Sequence, residues 1–444
     1  MNNDTYYVHT FGCQMNERDS ETVAGILEQL GLVAADTPEQ ARVLAVNTCS
    51  VREKPEEKVF SLLGQWRMLK RDEPTRIIVV CGCMSQVAGD RIAQRAPYVD
   101  IIIGPRNLGH LRDALAQRLE SAERKPVIIA DSQELLPEGL PAHRCGDMSA
   151  FVNITYGCNN FCAYCIVPFA RGPEVSRSTP DILAECRDAV AAGYREITLL
   201  GQNVNSYGHD LHPQTDFASL LEQVGKLPDL QRLRFTTSHP KDLSERLLQT
   251  MANTATVCEH LHLPIQAGGD HVLAQMGRGY TCRHFISLVE RTRELIPDIS
   301  ITTDIMVGFP GENRAQFEQT LRAVERIRFD QAFMFKYNDR PGTKASNMPD
   351  RIPEDEKQQR LLQLVSLQNR IARDVNRAAV GQIFEVLVEG SDRKAKNCVR
   401  GRSRQNKIVV FPGSLDMRGK LVQVRAVEGF LWGHRGELVS RNRS

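Results

Sequence analysis

The sequence predicts an α/β protein of several domains: a Rossmann-like parallel α/β domain, a partial barrel of six βα units, and a small C-terminal β-barrel. Three observations carry this. At 444 residues the chain is long for one hydrophobic core, so about two or three domains are expected. Short apolar runs alternate with helical stretches in two successive blocks, the pattern of parallel sheets. From Gly381 onward the pattern changes to short β-like runs punctuated by Gly and Pro.

In the first block, residues 1–120, TYYVHT, RVLAVN, RIIVVCG and VDIIIGP read as strands, with SETVAGILEQLG and EEKVFSLLGQWRML as helices between them. Residues 121–144 show little periodicity and read as a linker. The second block, 145–375, offers six strands: FVNITY (151–156), EITLLG (196–201), RLRFTT (232–237), HLHLPI (260–265), ISITTDIMVG (299–308) and QAFMFKY (331–337). Its helices carry their own punctuation, as in TPDILAECRDAVAAG, with Thr179 or Asp181 near the start and Gly193 past the end. A barrel of parallel strands places its chemistry on the loops beyond the strand C-termini. The third block, 378–442, contains IFEVLVEG, NKIVVFPG and GKLVQVRAVEG and reads as a small β-barrel, a form often used to grip nucleic acid.

Composition narrows the function. Hydrophobic content of 41% and charged content of 25% are those of a soluble globular protein. No run approaches the roughly 18 apolar residues of a membrane span, and MNNDTYYVHT is not a signal peptide. A cytoplasmic protein is expected. Twelve cysteines in a reducing compartment point to metal or catalysis rather than disulfides. Net charge is +2, yet Gly381–Ser444 holds 13 Lys and Arg against 6 Asp and Glu, leaving about −5 on the rest. A basic module on a slightly acidic body suggests a polyanion-binding appendage.

The chemistry concentrates in YGCNNFCAYC, where Cys158, Cys162 and Cys165 have the spacing C-x3-C-x2-C. Three thiolates on a four-iron cubane leave one iron open to a ligand; taken alone, the triplet could also be part of a zinc site. Its position after the first barrel strand favours the open cluster. Cys13, Cys49 and Cys83 each follow a predicted strand end in the first domain. In an open α/β sheet such ends share one crevice, although buried structural cysteines would also satisfy the pattern. Cys81 reads as a strand residue, and Cys145, Cys186, Cys258, Cys282 and Cys398 as structural.

C-x3-C-x2-C followed by IVPFARGPEVSR resembles the radical S-adenosylmethionine enzymes, and within them the methylthiotransferases. The GCQMN, NTC and GC motifs are similar to that family's N-terminal domain, and the third block resembles the TRAM domain, an RNA-binding β-barrel; together these cover nearly the whole chain. The resemblance implies two 4Fe–4S clusters, one held by Cys158, Cys162 and Cys165 with S-adenosylmethionine, an auxiliary one by Cys13, Cys49 and Cys83. It places Phe161 and Tyr164 near cluster and adenine, with plain packing as the alternative. It nominates Gln202 and Asn203 in LLGQNVNSYG, Ser238 in FTTSHP, and Asp304, Gly308 and Pro310 in DIMVGFPGE as contacts to S-adenosylmethionine. Arg171 and Arg177 face anionic cofactor or substrate groups or, alternatively, solvent. Where the family reads QSGSD this chain has QAGGD (266–270), which leaves Gln266 but puts any role of the two hydroxyls in doubt.

The implied reaction adds a methylthio group at C2 of N6-isopentenyladenosine in a tRNA anticodon stem-loop, with an electron donor such as flavodoxin or ferredoxin and a monomeric enzyme. A ribosomal-protein aspartate and threonylcarbamoyladenosine are the alternative substrates. A metal-stabilised RNA-binding protein is the non-enzymatic alternative.

Overall fold

Alternation of side chains across two buried faces builds the first sheet in the computed structural model, which describes residues 4–50, 53–120, 126–130, 136–144, 146 and 148–439. Strands β1 (Thr5–Thr10), β2 (Val33–Ala34), β3 (Val43–Thr48), β4 (Ile77–Gly82), β5 (Ile101–Ile103) and β6 (Val127–Ile129) run parallel in the order β2-β1-β3-β4-β5-β6. Successive strand residues point to opposite faces. Val43, Ala45, Ile77, Val79 and Ile101 therefore pack on one side with α1 (Gln14–Gln29). Leu44, Val46, Ile78, Val80 and Ile102 pack on the other with Trp66 of α2 (Glu53–Asp72) and Ile92 of α3 (Cys83–Arg95). Each of the Val, Leu and Ile side chains contributes roughly 1.5–3 kcal/mol on burial. Helix α4 (Leu111–Glu120) completes the domain.

One expectation is corrected here. The segment 121–144 is not merely a linker, because β6 lies inside it and pairs in parallel with β5, matching Ile101 with Val127, Ile102 with Ile128 and Ile103 with Ile129. Three apolar residues are too few to show a period, so the strand is defined by its partner and not by its own sequence.

The second domain contains β7 (Ser149–Asn153), β8 (Thr155–Tyr156), α5 (Val167–Arg171), β9 (Val175–Ser176) and α6 (Thr179–Ala191). It continues through β10 (Glu196–Leu200), α7 (Phe217–Gly225), β11 (Arg232–Phe235), α8 (Glu245–Asn253), β12 (His260–His262), α9 (Asp270–Gln275) and α10 (Cys282–Leu295). It ends with β13 (Ser300–Val307), α11 (Arg314–Ile327), β14 (Gln331–Lys336) and α12 (Glu354–Ala378). Two parallel triplets, β11-β10-β7 and β12-β13-β14, meet through a bridge between Leu233 and Val257. All six expected strands are present, in an open barrel. The cap of α6 is Ser178, whose side chain accepts from the Asp181 N–H, one residue earlier than expected.

Strands β15 (Ile383–Ser391), β16 (Cys398–Ser403), β17 (Ile408–Pro412), β18 (Leu421–Phe430) and β19 (Gly433–Leu438) close into a barrel. Phe384, Val386, Val399, Val409, Phe411 and Val424 fill it. It docks where the second domain's strands begin. Arg232, fully buried, donates to the Arg402 and Glu385 carbonyls, and Arg234 donates to those of Ser403 and Arg404. The C-terminal domain thus covers the base of the partial barrel and leaves its mouth to the N-terminal domain.

The junction with α12 should be acid-sensitive. His434 is buried, bonded through Nε2 to the Asn376 carbonyl at 3.0 Å and stacked on Phe384. Burial, reinforced by Lys407, pushes its pKa down to about 4, against the opposing pull of the Asn376 carbonyl and Asp330. A depressed pKa gives stability that is complete above the unfolded value near 6.5 and is lost as pH falls towards the folded one. Thermal unfolding should therefore show a loss of about 2 kcal/mol between pH 7 and pH 5, and His434→Asn should remove most of that dependence.

Candidate active site at the mouth of the barrel

The N-terminal sheet brings its three cysteines to adjacent strand ends. Cys13 is the N-cap of α1 just beyond β1, Cys49 follows β3, and Cys83 opens α3 directly after β4. Strand order reverses between β1 and β3, the crevice where doubly wound sheets bind ligands. The crevice is held by amides: Asn16 Nδ2 donates to Asn47 Oδ1 at 2.9 Å and to the Thr48 carbonyl at 3.0 Å, and Asn47 Nδ2 returns a bond to the Asn16 carbonyl. Gly82 adopts φ +94°, and a Cβ there would lie 2.2 Å from Asn47 Oδ1 and 2.4 Å from the Thr48 carbonyl. Only glycine admits the chain at this point.

The second triad lies on the loop between β8 and β9, whose pairing of Thr155 with Ser176 and Tyr156 with Val175 closes its neck. Gly157, at φ +70°, passes so close that a Cβ would sit 1.9 Å from the Pro173 carbonyl oxygen. Cys158 and Cys162 are buried and Cys165 is half-buried. The Asn160 and Val167 backbone N–H groups donate to the sulfurs of Cys158 and Cys165, each at 3.4 Å. Arg278 Nη1 donates to Cys162 Sγ, also at 3.4 Å.

Both triads offer three thiols apiece, the donor set of an iron–sulfur cluster. Cys165 lies within electrostatic reach of Cys162 and Cys158, and Cys83 within reach of Cys49 and Cys13. A cubane takes each thiolate at a separate corner. Burial pushes the Cys158 thiol up to about 11 and those of Cys165 and Cys83 up to about 12. Cationic metal compensates such a cost, since a coordinating thiol loses its proton outright.

Beside the second triad opens a cavity of about 890 Å³, lined by Tyr164, Cys165, His262, Gln266, Asp304 and Phe333 among others. Gln266 holds φ +66° and Thr237, on the neighbouring strand end, φ +68°. For a β-branched residue this is a genuine outlier, of the kind that collects at functional sites. Asp304 faces His262, with Nε2 to Oδ2 at 3.5 Å. Buried polar atoms without a partner also gather at the ends of β7, β10 and β11: Asn153 Oδ1, Thr155 Oγ1, Asn203 Oδ1, Ser238 Oγ and His239 Nε2. Each unpaired buried group costs about 1–3 kcal/mol. A polar ligand along this edge would satisfy them. Burial, with Arg278 and Lys241 nearby, pushes His239 down to about 2, so that it stays neutral.

The nominated residues thus separate into groups. Tyr164, Gln266 and Asp304 line the cavity, and Asn203 and Ser238 present unpaired atoms at the barrel mouth. Gln202 turns instead to the Met15 sulfur, two residues from Cys13. Arg171 also belongs to the first triad: it lies beside Cys83 and Cys13 and gives Nη2 to Asp19 Oδ2 at 2.6 Å, both groups buried. Arg177 is taken up by Glu138 and Glu185. Gly308 and Pro310 are outside the cavity lining; the Gly308 N–H donates to the buried Glu312 carboxylate, itself paired with Arg360. Phe161 is 68% exposed and takes no part in the core. Cys81 and Cys186 are buried strand and core residues as expected, and Cys145 lies outside the described residues. Asp19, Asn16, Asn47, His262 and Arg278 were not singled out from the sequence.

A parallel α/β domain carrying one cysteine triad, set on an open βα barrel carrying C-x3-C-x2-C, defines a radical S-adenosylmethionine enzyme. Residues 152–324 match the radical SAM superfamily, and residues 5–104 match the uncharacterized protein family UPF0004. The fold is shared with TsrM from Kitasatospora setae, a radical S-adenosylmethionine methyltransferase solved with cobalamin and a 4Fe–4S cluster bound (TM-score 0.57, 16% identity, 78% of this chain and 77% of that one). Two relatives are named tRNA-2-methylthio-N(6)-dimethylallyladenosine synthase. That of Carboxydothermus hydrogenoformans is 48% identical, covering 98% of this chain and 99% of its own. That of Moorella thermoacetica is 46% identical over 98% of each. The chain belongs to this synthase family.

Proposed function

We propose that the protein converts N6-isopentenyladenosine beside the tRNA anticodon to its 2-methylthio derivative, with Cys158, Cys162 and Cys165 holding one 4Fe–4S cluster and Cys13, Cys49 and Cys83 the other. The observation that carries this is the meeting of both triads at one barrel mouth, bridged by Arg171 and Gln202. When bound, the barrel cluster with one S-adenosylmethionine would supply a 5'-deoxyadenosyl radical, and the auxiliary cluster would hold the sulfur to which a second S-adenosylmethionine gives its methyl. The adenine C2–H is too weakly acidic for a general base, so the protein's work is positioning. Asn203, Ser238, Gln266 and Asp304 orient S-adenosylmethionine, and the unpaired amide and hydroxyl atoms receive its polar groups. Phe333, Ile166 and Val167 give the cavity an apolar wall.

A single-stranded anticodon loop can present a splayed base to this mouth without melting a duplex. The basic C-terminal barrel binds phosphates at the far end of the second domain, so one tRNA spans both. A flavodoxin- or ferredoxin-type protein delivers electrons, the chain acts as a monomer, and the site of action is the cytoplasm. Among the described residues no helix is long and apolar enough to cross a membrane. The test is anaerobic reconstitution, then incubation with reductant, S-adenosylmethionine and isopentenylated tRNA, with nucleosides read by mass spectrometry. A methylthio-isopentenyladenosine peak is expected; 5'-deoxyadenosine with unchanged tRNA would overturn the substrate.

A further inference from the structure

Each sulfur of the barrel triad receives one N–H donor, but only one of the three carries charge. Arg278 reaches Cys162 from 116 residues away in sequence and is buried. Its other nitrogens are fixed: Nε donates to Tyr280 Oη and Nη2 to the Pro264 carbonyl, both at 3.1 Å, while Tyr280 Oη donates to the Ile265 carbonyl at 2.9 Å. No carboxylate among the described residues pairs with Arg278. The first triad differs, because its neighbouring cation Arg171 is neutralised by Asp19 at 2.6 Å. One cysteine site therefore faces an uncompensated buried cation, and the other faces a neutral ion pair.

We infer that Arg278 is a positioning residue which, through its hydrogen bond to Cys162 Sγ, raises the reduction potential at Cys158, Cys162 and Cys165 and so directs the incoming electron there. The inference rests on the proposal that these cysteines hold a cluster. Potentials of such clusters follow net charge, burial and hydrogen bonds to sulfur. An added electron is stabilised by a fixed cation in a low-dielectric surrounding, where charges are poorly screened. Asp19 cancels the same effect of Arg171 at the auxiliary site.

The test is a redox titration of the reconstituted full-length protein followed by electron paramagnetic resonance, with S-adenosylmethionine used to identify the barrel signal. Arg278→Gln should lower the reduced-to-oxidised ratio of that signal at least tenfold at fixed potential, a shift of about −59 mV for a one-electron couple. The auxiliary signal should not move. Arg278→Lys, which keeps the charge but not the fork, and Tyr280→Phe, which removes only the orienting hydroxyl, should shift it less in the same direction. An unchanged barrel potential in a fully iron-loaded Arg278→Gln protein, or equal shifts of both signals, would overturn the inference. Should Arg278→Gln fail to retain iron, unchanged potentials in both milder variants would overturn it equally. Retention of all iron by Cys158→Ala would instead overturn the cluster assignment, which keeps the two failures apart.

Discussion

Replacing Cys158, Cys162 or Cys165 with Ala is expected to abolish both 5'-deoxyadenosine release and methylthiolation, whereas Ala at Cys13, Cys49 or Cys83 should abolish methylthiolation alone. The two triads occupy separate loops, one on the barrel's β8–β9 connection and one on the ends of β1, β3 and β4. Loss of a thiolate at either place should reduce the iron content from about eight to about four, one cubane in each case. What distinguishes them is which chemistry survives. The cavity containing Tyr164, Gln266 and Asp304 opens beside Cys165, not beside Cys83, so cleavage of S-adenosylmethionine should depend on the barrel triad only. Sulfur insertion requires both. Iron analysis, 5'-deoxyadenosine by liquid chromatography and nucleoside mass spectrometry on the same six variants check the prediction. Loss of 5'-deoxyadenosine from Cys49→Ala with its four remaining irons intact would show that the two sites do not divide the work in this way.

Much of this arrangement was legible in the sequence because its signals are local. Strand-length apolar runs located β1, β3, β4 and β5 of the N-terminal sheet and all six strands of the partial barrel; the cysteines stood out by spacing and by their place after strands. The short edge strands β2 and β6, of two and three residues, carry too little pattern to be read alone. Contacts that join distant segments were not legible either. Asp19 and Arg171 are 152 residues apart, and Cys162 and Arg278 are 116 apart; no period or spacing marks either pair. Arg171 did read as a residue facing an anion, yet its carboxylate partner belongs to the protein itself. Gly308 and Pro310 show the opposite difficulty, since a Gly-Pro turn looks the same in sequence whether it meets a ligand or, as here, an internal carboxylate on Glu312. The strain at Thr237 and Gln266 is likewise invisible before folding, because left-handed backbone at a non-glycine residue is imposed by its surroundings.

Asp19→Ala is expected to destabilise the protein by about 3–5 kcal/mol, the usual cost of leaving one member of a buried ion pair alone, and to uncouple the two sites. Arg171 ends α5, six residues after Cys165, while Asp19 lies on α1, six residues after Cys13. The pair is therefore a strut between the triads. Arg106 of the N-terminal domain reinforces it, donating to the Arg171 and Pro173 carbonyls at 3.3 and 3.2 Å. Without Asp19 the Arg171 guanidinium keeps only its contacts beside Cys83 and Cys13, and the direct ion pair between α1 and α5 is lost, leaving the weaker Arg106 contacts to hold their spacing. The variant should still release 5'-deoxyadenosine but form little methylthiolated product. The double variant Asp19→Leu with Arg171→Leu separates stability from alignment: an apolar pair of similar volume should recover most of the lost stability without restoring the product ratio. Thermal unfolding and the ratio of methylthiolated nucleoside to 5'-deoxyadenosine measure the two effects independently. A double variant that regained both would mean that the strut contributes to folding alone, and that the separation of the triads is set elsewhere in the interface.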